Sequence, residues 1–250
     1  MSAYHPDAWI VNHPIGQDRV ALLETLVEAS PYKDVKDSPQ AMHAYLMMQA
    51  KLAGYILPIK EVFNRYPLSD TSEPARYARA MAYSRKPDLP KALAEINSLI
   101  KDEPNNPYFY EVLGQVYVNM AKPELGIPAF QRSVDLLPDA SQLRVGLAAA
   151  QLATERVAYA KPALENLKRA LVIENDDAWA WFETAQAYSD LNNQPMADLS
   201  TAEQMYAMGI YPEAARFARK AQRGLSQGSR DWERANDIMA VANIGKKHSE

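Results

Sequence analysis

The sequence predicts an all-α fold, a superhelix of paired helices, and three observations carry that expectation. Glycine is scarce, nine in 250 residues, while Ala, Leu, Glu, Gln, Lys, Arg and Met fill segments of helical length bounded by Pro, Asn, Asp and Ser. Short β-branched runs such as Val116-Tyr117-Val118 sit inside helical-period segments and lack hairpin dipeptides at their ends. Pro104 and Pro138 stand 34 residues apart, each just after an apolar helix, where a proline stops the helix without disrupting it.

Read in chain order, helices are expected near 16–29, 38–54 and 57–66, in a stretch that is helical in character but carries no repeat. Pairs then follow at 74–86 with 89–102, 107–120 with 124–137, 141–157 with 160–173, and 177–191 with 194–208. Two more helices, 212–225 and 229–243, end the chain. Within the second pair, Tyr110, Leu113, Gly114, Tyr117, Gly126 and Phe130 resemble the tetratricopeptide (TPR) pattern of large apolar residue, Leu-Gly, Tyr, Ala and Phe in a 34-residue period. A glycine inside a helix costs roughly 0.5–1 kcal/mol relative to Ala, so Gly114 and Gly126 are expected where the two helices of one repeat cross, with Tyr110, Tyr117 and Phe130 filling the space around them.

The neighbouring repeats follow the same pattern less closely. Ala80, Tyr83, Ala92, Ile96 and Pro104 match one repeat back, with Arg76 and Arg79 where large apolar residues belong. Leu147, Ala148, Ala163, Leu167 and Ala170 match one repeat forward if three residues are inserted near "TERVAYAKP", which predicts a longer turn there. Trp181, Ala185, Tyr188 and Ala197 match the next. Ala197 and Ala214 then stand 17 residues apart, half a repeat, so the helix at 194–208 is expected to serve as second helix of one pair and first helix of the next. The division that follows is a helical N-terminal cap or joint at 1–72, about four TPR-like repeats at 73–209, and C-terminal capping helices and tail at 210–250.

A formal charge of −4, and the lack of interleaved aromatic and basic residues, argue against nucleic acid as a partner. No apolar run approaches the ~20 residues of a membrane span. The first residues, "MSAYHPDAWIVNHP", lack the basic and apolar regions of a secretory signal, and they read as a cut from a longer chain as readily as a natural start. The absence of cysteine excludes disulfides and thiolate chemistry without naming a compartment.

The order of segments resembles the C-terminal region of BepA-like bacterial metalloproteases, in which a zinc peptidase domain of the HExxH class precedes a TPR domain. The resemblance rests on "NHPIGQDRVALLE" with His13, Pro14 and Arg19, on "AMHAYLMMQAKLAGYI", "YPLSDTSEPARYARAMAY" and "NNPYFYEVLGQVYVNMAKPELGIPAFQRSVDLLP", and on the late "WERANDI". It implies a periplasmic, chaperone-like role in envelope protein quality control, an upstream protease domain in cis, and zinc in that domain. A cytoplasmic, free-standing TPR scaffold or assembly factor is the other expectation.

No catalysis is expected from this chain, and no cofactor. A zincin needs two His at i and i+4 with Glu between, whereas His5, His13, His43 and His248 are never four apart and none adjoins a Glu. His13 reads as a polar residue in a Pro-bounded turn. No Gly-x-Ser-x-Gly elbow or P-loop occurs. Asp176-Asp177 stands at a helix start, where capping accounts for it better than acid–base chemistry.

Binding is expected on the concave face, where solenoids take extended peptides or partner helices. The groove-facing positions of TPR proteins correspond here to Tyr77, Met81 and Arg85, to Tyr108, Glu111, Gln115 and Asn119, to Gln142, Val145 and Ala149, and to Trp179, Phe182, Gln186 and Asp190. Aromatics mixed with amides suit an extended, partly apolar polypeptide. Tyr77, Met81 and Gln142 occupy positions where a carboxylate clamp for a partner's C-terminus needs Lys or Asn. Trp179 and Phe182 have a second reading, packing against the chain's own helices. Met42, Met47 and Met48 are expected to fill a core rather than form an adaptable surface. Arg216, Arg219, Lys220 and Arg223 form a stripe on one helix face, expected to be solvated, with an acidic partner or anionic lipid as the alternative.

Overall fold

A computed structural model describes residues 16–85 and 88–247, so the His13-Pro14 element, His5 and His248 lie outside the described residues. Thirteen helices are found among the described residues: α1 (Gly16–Ala29), α2 (Pro39–Ile56), α3 (Ile59–Arg65), α4 (Glu73–Arg85), α5 (Leu89–Asp102), α6 (Pro107–Asn119), α7 (Pro123–Leu136), α8 (Ser141–Leu152), α9 (Val157–Ile173), α10 (Ala178–Asp190), α11 (Gln194–Ala207), α12 (Tyr211–Gln222) and α13 (Arg230–Lys247). The described residues contain no strand. The fold is a TPR-type α-α superhelix. Capping explains several helix starts: the side chains of Asp88, Asn106, Asp177 and Asn193 accept backbone N–H groups of α5, α6, α10 and α11.

The chain divides into two compact units, one up to Leu46 and one from Met47 onward. In the first, the Ser38 hydroxyl accepts the Ala41 N–H at 3.1 Å and starts α2, and Val20, Leu23 and Val27 of α1 are exposed. The second unit begins well before the boundary expected at 72, because Ala50 and Val62 are fully buried in the same core as Ile96 and Phe109. The rings of Phe63 and Tyr83 meet at 4.9 Å and hold α3 on α4. Of the three methionines expected in a core, Met47 packs on it, whereas Met42 and Met48 are exposed.

Within the second unit, α4 pairs with α5, α6 with α7, α8 with α9 and α10 with α11, and the first helices also stack on one another, α4 on α6, α6 on α8 and α8 on α10. That stacking ends at α10, which makes no contact with α12; α11 stacks on α13 in its place. The turns explain the change of register. Ala121, Glu155 and Asn192 each carry a left-handed φ of 55–57° in the turn joining the two helices of a pair. Gly209 repeats that turn, with φ of 73°, between α11 and α12. The hydrogen bonds repeat too: the N–H of Asn193 donates to Tyr188 O, and that of Ile210 to Met205 O, both at 2.8 Å. So α11 is second helix to α10 and first helix to α12, as the 17-residue spacing predicts.

One expected element changes. The helix expected over 141–157 stops at Leu152, where Glu155 turns left-handed. The three inserted residues do not lengthen the turn as expected; they lengthen α9, which has 17 residues where α5, α7 and α11 have 14. Adding a turn to a helix satisfies its own backbone hydrogen bonds, which a longer loop would leave to solvent.

The arginines that replace apolar residues in α4 are paired rather than exposed. Arg79 is buried: its Nε donates to Glu95 Oε1 at 2.6 Å, and its Nη1 donates to the carbonyls of Pro67 and Asp70 at 2.8 and 2.7 Å. Arg76 donates to Ser98 Oγ and pairs with Asp102 at 2.7 Å. The Arg79–Glu95 pair thus joins α4 to α5 where Leu113 and Leu147 stand in the next two repeats.

Candidate functional site

The first helices of the repeats carry the expected groove positions, and the structure separates them into a closed part and an open part. On α4, Tyr77 and Met81 are buried, not groove-lining. The C-terminal half of α2 covers them: a Cβ built at Gly54 would come within 2.6 Å of Ala78 O and 2.9 Å of Met81 Cβ. The Tyr77 ring packs edge-on against Phe109 at 5.4 Å, and its hydroxyl is buried without a hydrogen-bond partner among the described residues. Burial raises the Tyr77 phenol well above its ordinary value, with the charges of Glu111 and Tyr108 adding to the shift. Arg85 is exposed, yet its guanidinium donates to Gly54 O and Leu57 O, both at 2.9 Å, and closes the end of α2.

On α6 the face is open but organised. Glu111 accepts Lys51 at 2.7 Å, and the Lys51 ammonium lies 5.0 Å from the centre of the Tyr108 ring. Gln115 donates to Asn119 Oδ1 at 2.7 Å, and Asn119 donates to Ser84 Oγ at 3.3 Å. On α8, Val145 is buried and Ala149 half-buried, while Gln142 is exposed and donates to Glu174 Oε2 at 3.1 Å and Asp177 Oδ2 at 3.0 Å.

The α10 face carries the largest exposed aromatic surface of the site. Trp179 and Phe182 stack, with ring centres 5.1 Å apart and planes 23° apart, and they remain 56% and 42% exposed. Asp177 holds the first turn in place by accepting the Trp179 N–H at 2.9 Å. Gln186 donates to Asp190 Oδ1 at 2.7 Å, the same amide-to-oxygen bridge that Gln115 and Asn119 make on α6. Within the second unit, α12 does not stack beside α10 as the next first helix would in a regular array.

Two participants escaped the sequence reading. Lys51 lies on α2, outside the repeat pattern, so no spacing pointed to it. Glu183 is buried on α10 and occupies the repeat position of Val112 and Gly146; a carboxyl in that small or apolar column was the available signal. Burial raises its pKa from 4.5 to about 7.

A second concavity of about 790 Å³ lies among α9, α10, α11 and the start of α13, with Trp181, Tyr188 and Tyr206 in its lining. Arg234 crosses it, forking onto Glu203 at 2.6 and 2.7 Å and lying over Tyr206. That fork fastens α13 to α11. On α12, Arg216 pairs with Glu213 and Lys220 with Asp198, while Arg219 and Arg223 are exposed on the outer face.

No protein-family model matches the chain, and no curated protein matches it. Among solved structures, MamA from MSR-1 superposes with a TM-score of 0.50 at 17% identity, over 67% of this chain and 95% of that one. A double mutant of MamA from RS-1 gives a TM-score of 0.50 at 14% identity, over 72% and 98%. A thermophilic TPR protein of Thermus thermophilus is also similar, at a TM-score of 0.41 and 17% identity, over 81% and 95%. The likeness to the two MamA chains is one of fold. Among the described residues, no helix is long and apolar enough to cross a membrane.

Proposed function

We propose that the concave side of α6, α8 and α10 is a non-catalytic binding surface for an extended stretch of protein. The observation that carries this reading is the stacked Trp179–Phe182 pair, half exposed on a helix that lacks the neighbour a regular array would supply. Large aromatics held by a capped helix offer contact area with little conformational entropy left to lose. The occupied part of the groove supports the same reading. There α2 lies against Tyr77 and Met81, so a helix of the chain itself already uses the α4 face as a docking surface.

The test is capture of a chemically unfolded protein by the wild type and by a Trp179→Ala, Tyr108→Ala variant. Capture should weaken severalfold in the variant while far-UV circular dichroism stays the same. Unchanged capture overturns the groove assignment.

On the resemblance to BepA-like metalloproteases, the proposal extends to a tail that holds envelope proteins for an upstream zinc peptidase domain in the periplasm, with zinc belonging to that domain. The alternative is a free-standing scaffold. The mass of the native protein in its cells, with sequenced peptides, separates them. A species much heavier than 28.0 kDa with an HExxH peptide supports the protease tail, and one of 28.0 kDa beginning at Met1 supports the scaffold.

A further inference from the structure

We infer that the occupant of the α10 face is a cationic segment, with an arginine lying against the Trp179–Phe182 stack. This inference rests on the binding reading above and adds the chemistry of the partner.

The aromatic pair presents open π surface, which attracts a cation, above all the flat guanidinium of arginine. Three carboxylates lie along the same face, those of Glu174, Asp177 and Asp190. Gln142 places Glu174 and Asp177 within 3.1 Å of one neutral amide nitrogen, so their oxygens lie no more than about 6 Å apart. Asp177 in turn grips the backbone of Trp179, which sets that carboxylate at the base of the aromatic stack. Along the same face of α10, Asp190 accepts the amide of Gln186. Among the described residues, no lysine or arginine forms an ion pair with Glu174, Asp177 or Asp190.

The contrast with α6 identifies the missing group. Tyr108 and Glu111, the counterparts of Trp179 and Phe182, do have a cation: Lys51 of α2 bridges the Glu111 carboxylate and the Tyr108 ring. At α10 the carboxylates stand instead at Asp177 and Asp190, and among the described residues no lysine or arginine lies over the Trp179 or Phe182 ring. From Asp177 to Asp190 the helix rises about 20 Å, the span of about six extended residues.

Three acetylated and amidated peptides of one length, Gly-Ser-Xaa-Tyr-Xaa-Ser-Gly with Xaa as Arg, Gln or Glu, test the inference by fluorescence anisotropy against the full chain. The Arg peptide should bind about tenfold more tightly than the Gln peptide at low salt, and the advantage should shrink as ionic strength approaches about 0.5 M. It should also vanish in a Glu174→Gln, Asp177→Asn, Asp190→Asn variant, in which Asn keeps the helix cap. Equal binding of all three peptides, lost on Trp179→Ala, overturns the cationic preference and leaves the groove reading standing. Binding of none of them overturns both.

Discussion

The ring of Phe130 occupies the space that a side chain at Gly114 would need. A Cβ built at Gly114 would come within 2.4 Å of Phe130 Cδ2, and one built at Gly146, on the opposite side of the ring, within 3.0 Å of Cε1. The ring is thus held between α6 and α8, and Gly126 completes the crossing, since a Cβ there would meet Gly114 O at 2.7 Å.

Gly114→Ala should therefore lower stability by about 1–3 kcal/mol, because the ring has no free side to move toward. Adding Phe130→Leu should recover part of the loss, and chemical denaturation of the two single variants and the double variant measures the coupling. Strict additivity would mean that the two residues do not share this contact.

Arg79→Ala should cost about 3–5 kcal/mol, since it leaves Glu95 with an uncompensated charge at the α4–α5 interface. A double replacement, Arg79→Leu with Glu95→Leu, should restore most of that, as Leu113 and Leu147 hold the equivalent place in the next two repeats. Equilibrium unfolding in urea decides it; a mild effect of Arg79→Ala would show that the pair is not buried in solution.

Glu183 makes stability depend on pH. Its carboxyl is held protonated up to about pH 7 in the folded chain, against 4.5 ordinarily, so the folded state binds the proton more tightly than the unfolded one. Stability is then greatest below about pH 4.5 as far as this group is concerned, falls as pH rises toward 7, and levels off above it. The total is on the order of 3 kcal/mol. Melting temperatures from pH 5 to 8 should fall for the wild type and stay nearly level for Glu183→Gln; the same slope in both would assign the effect elsewhere.

What could be read from the sequence was what repeats along a helix. The 34-residue period, the crossing glycines, Asp177 as a cap and the half-repeat at α11 are patterns of spacing, and spacing determines which residues share a face. The same periodicity named Trp179 and Phe182 as one patch. It could not say what covers a face. Tyr77 and Met81 have the same register as Glu111 and Gln115, yet they are buried because α2, a helix with no repeat signature, lies over them. Only the tertiary structure gave Arg79 its partner, brought Lys51 to Glu111 and placed the three extra residues in α9, because each depends on segments distant in sequence meeting in space. The open face of α10 has the same origin: a turn of left-handed backbone at Gly209 moves the next helix to α11, and the aromatic pair is left uncovered.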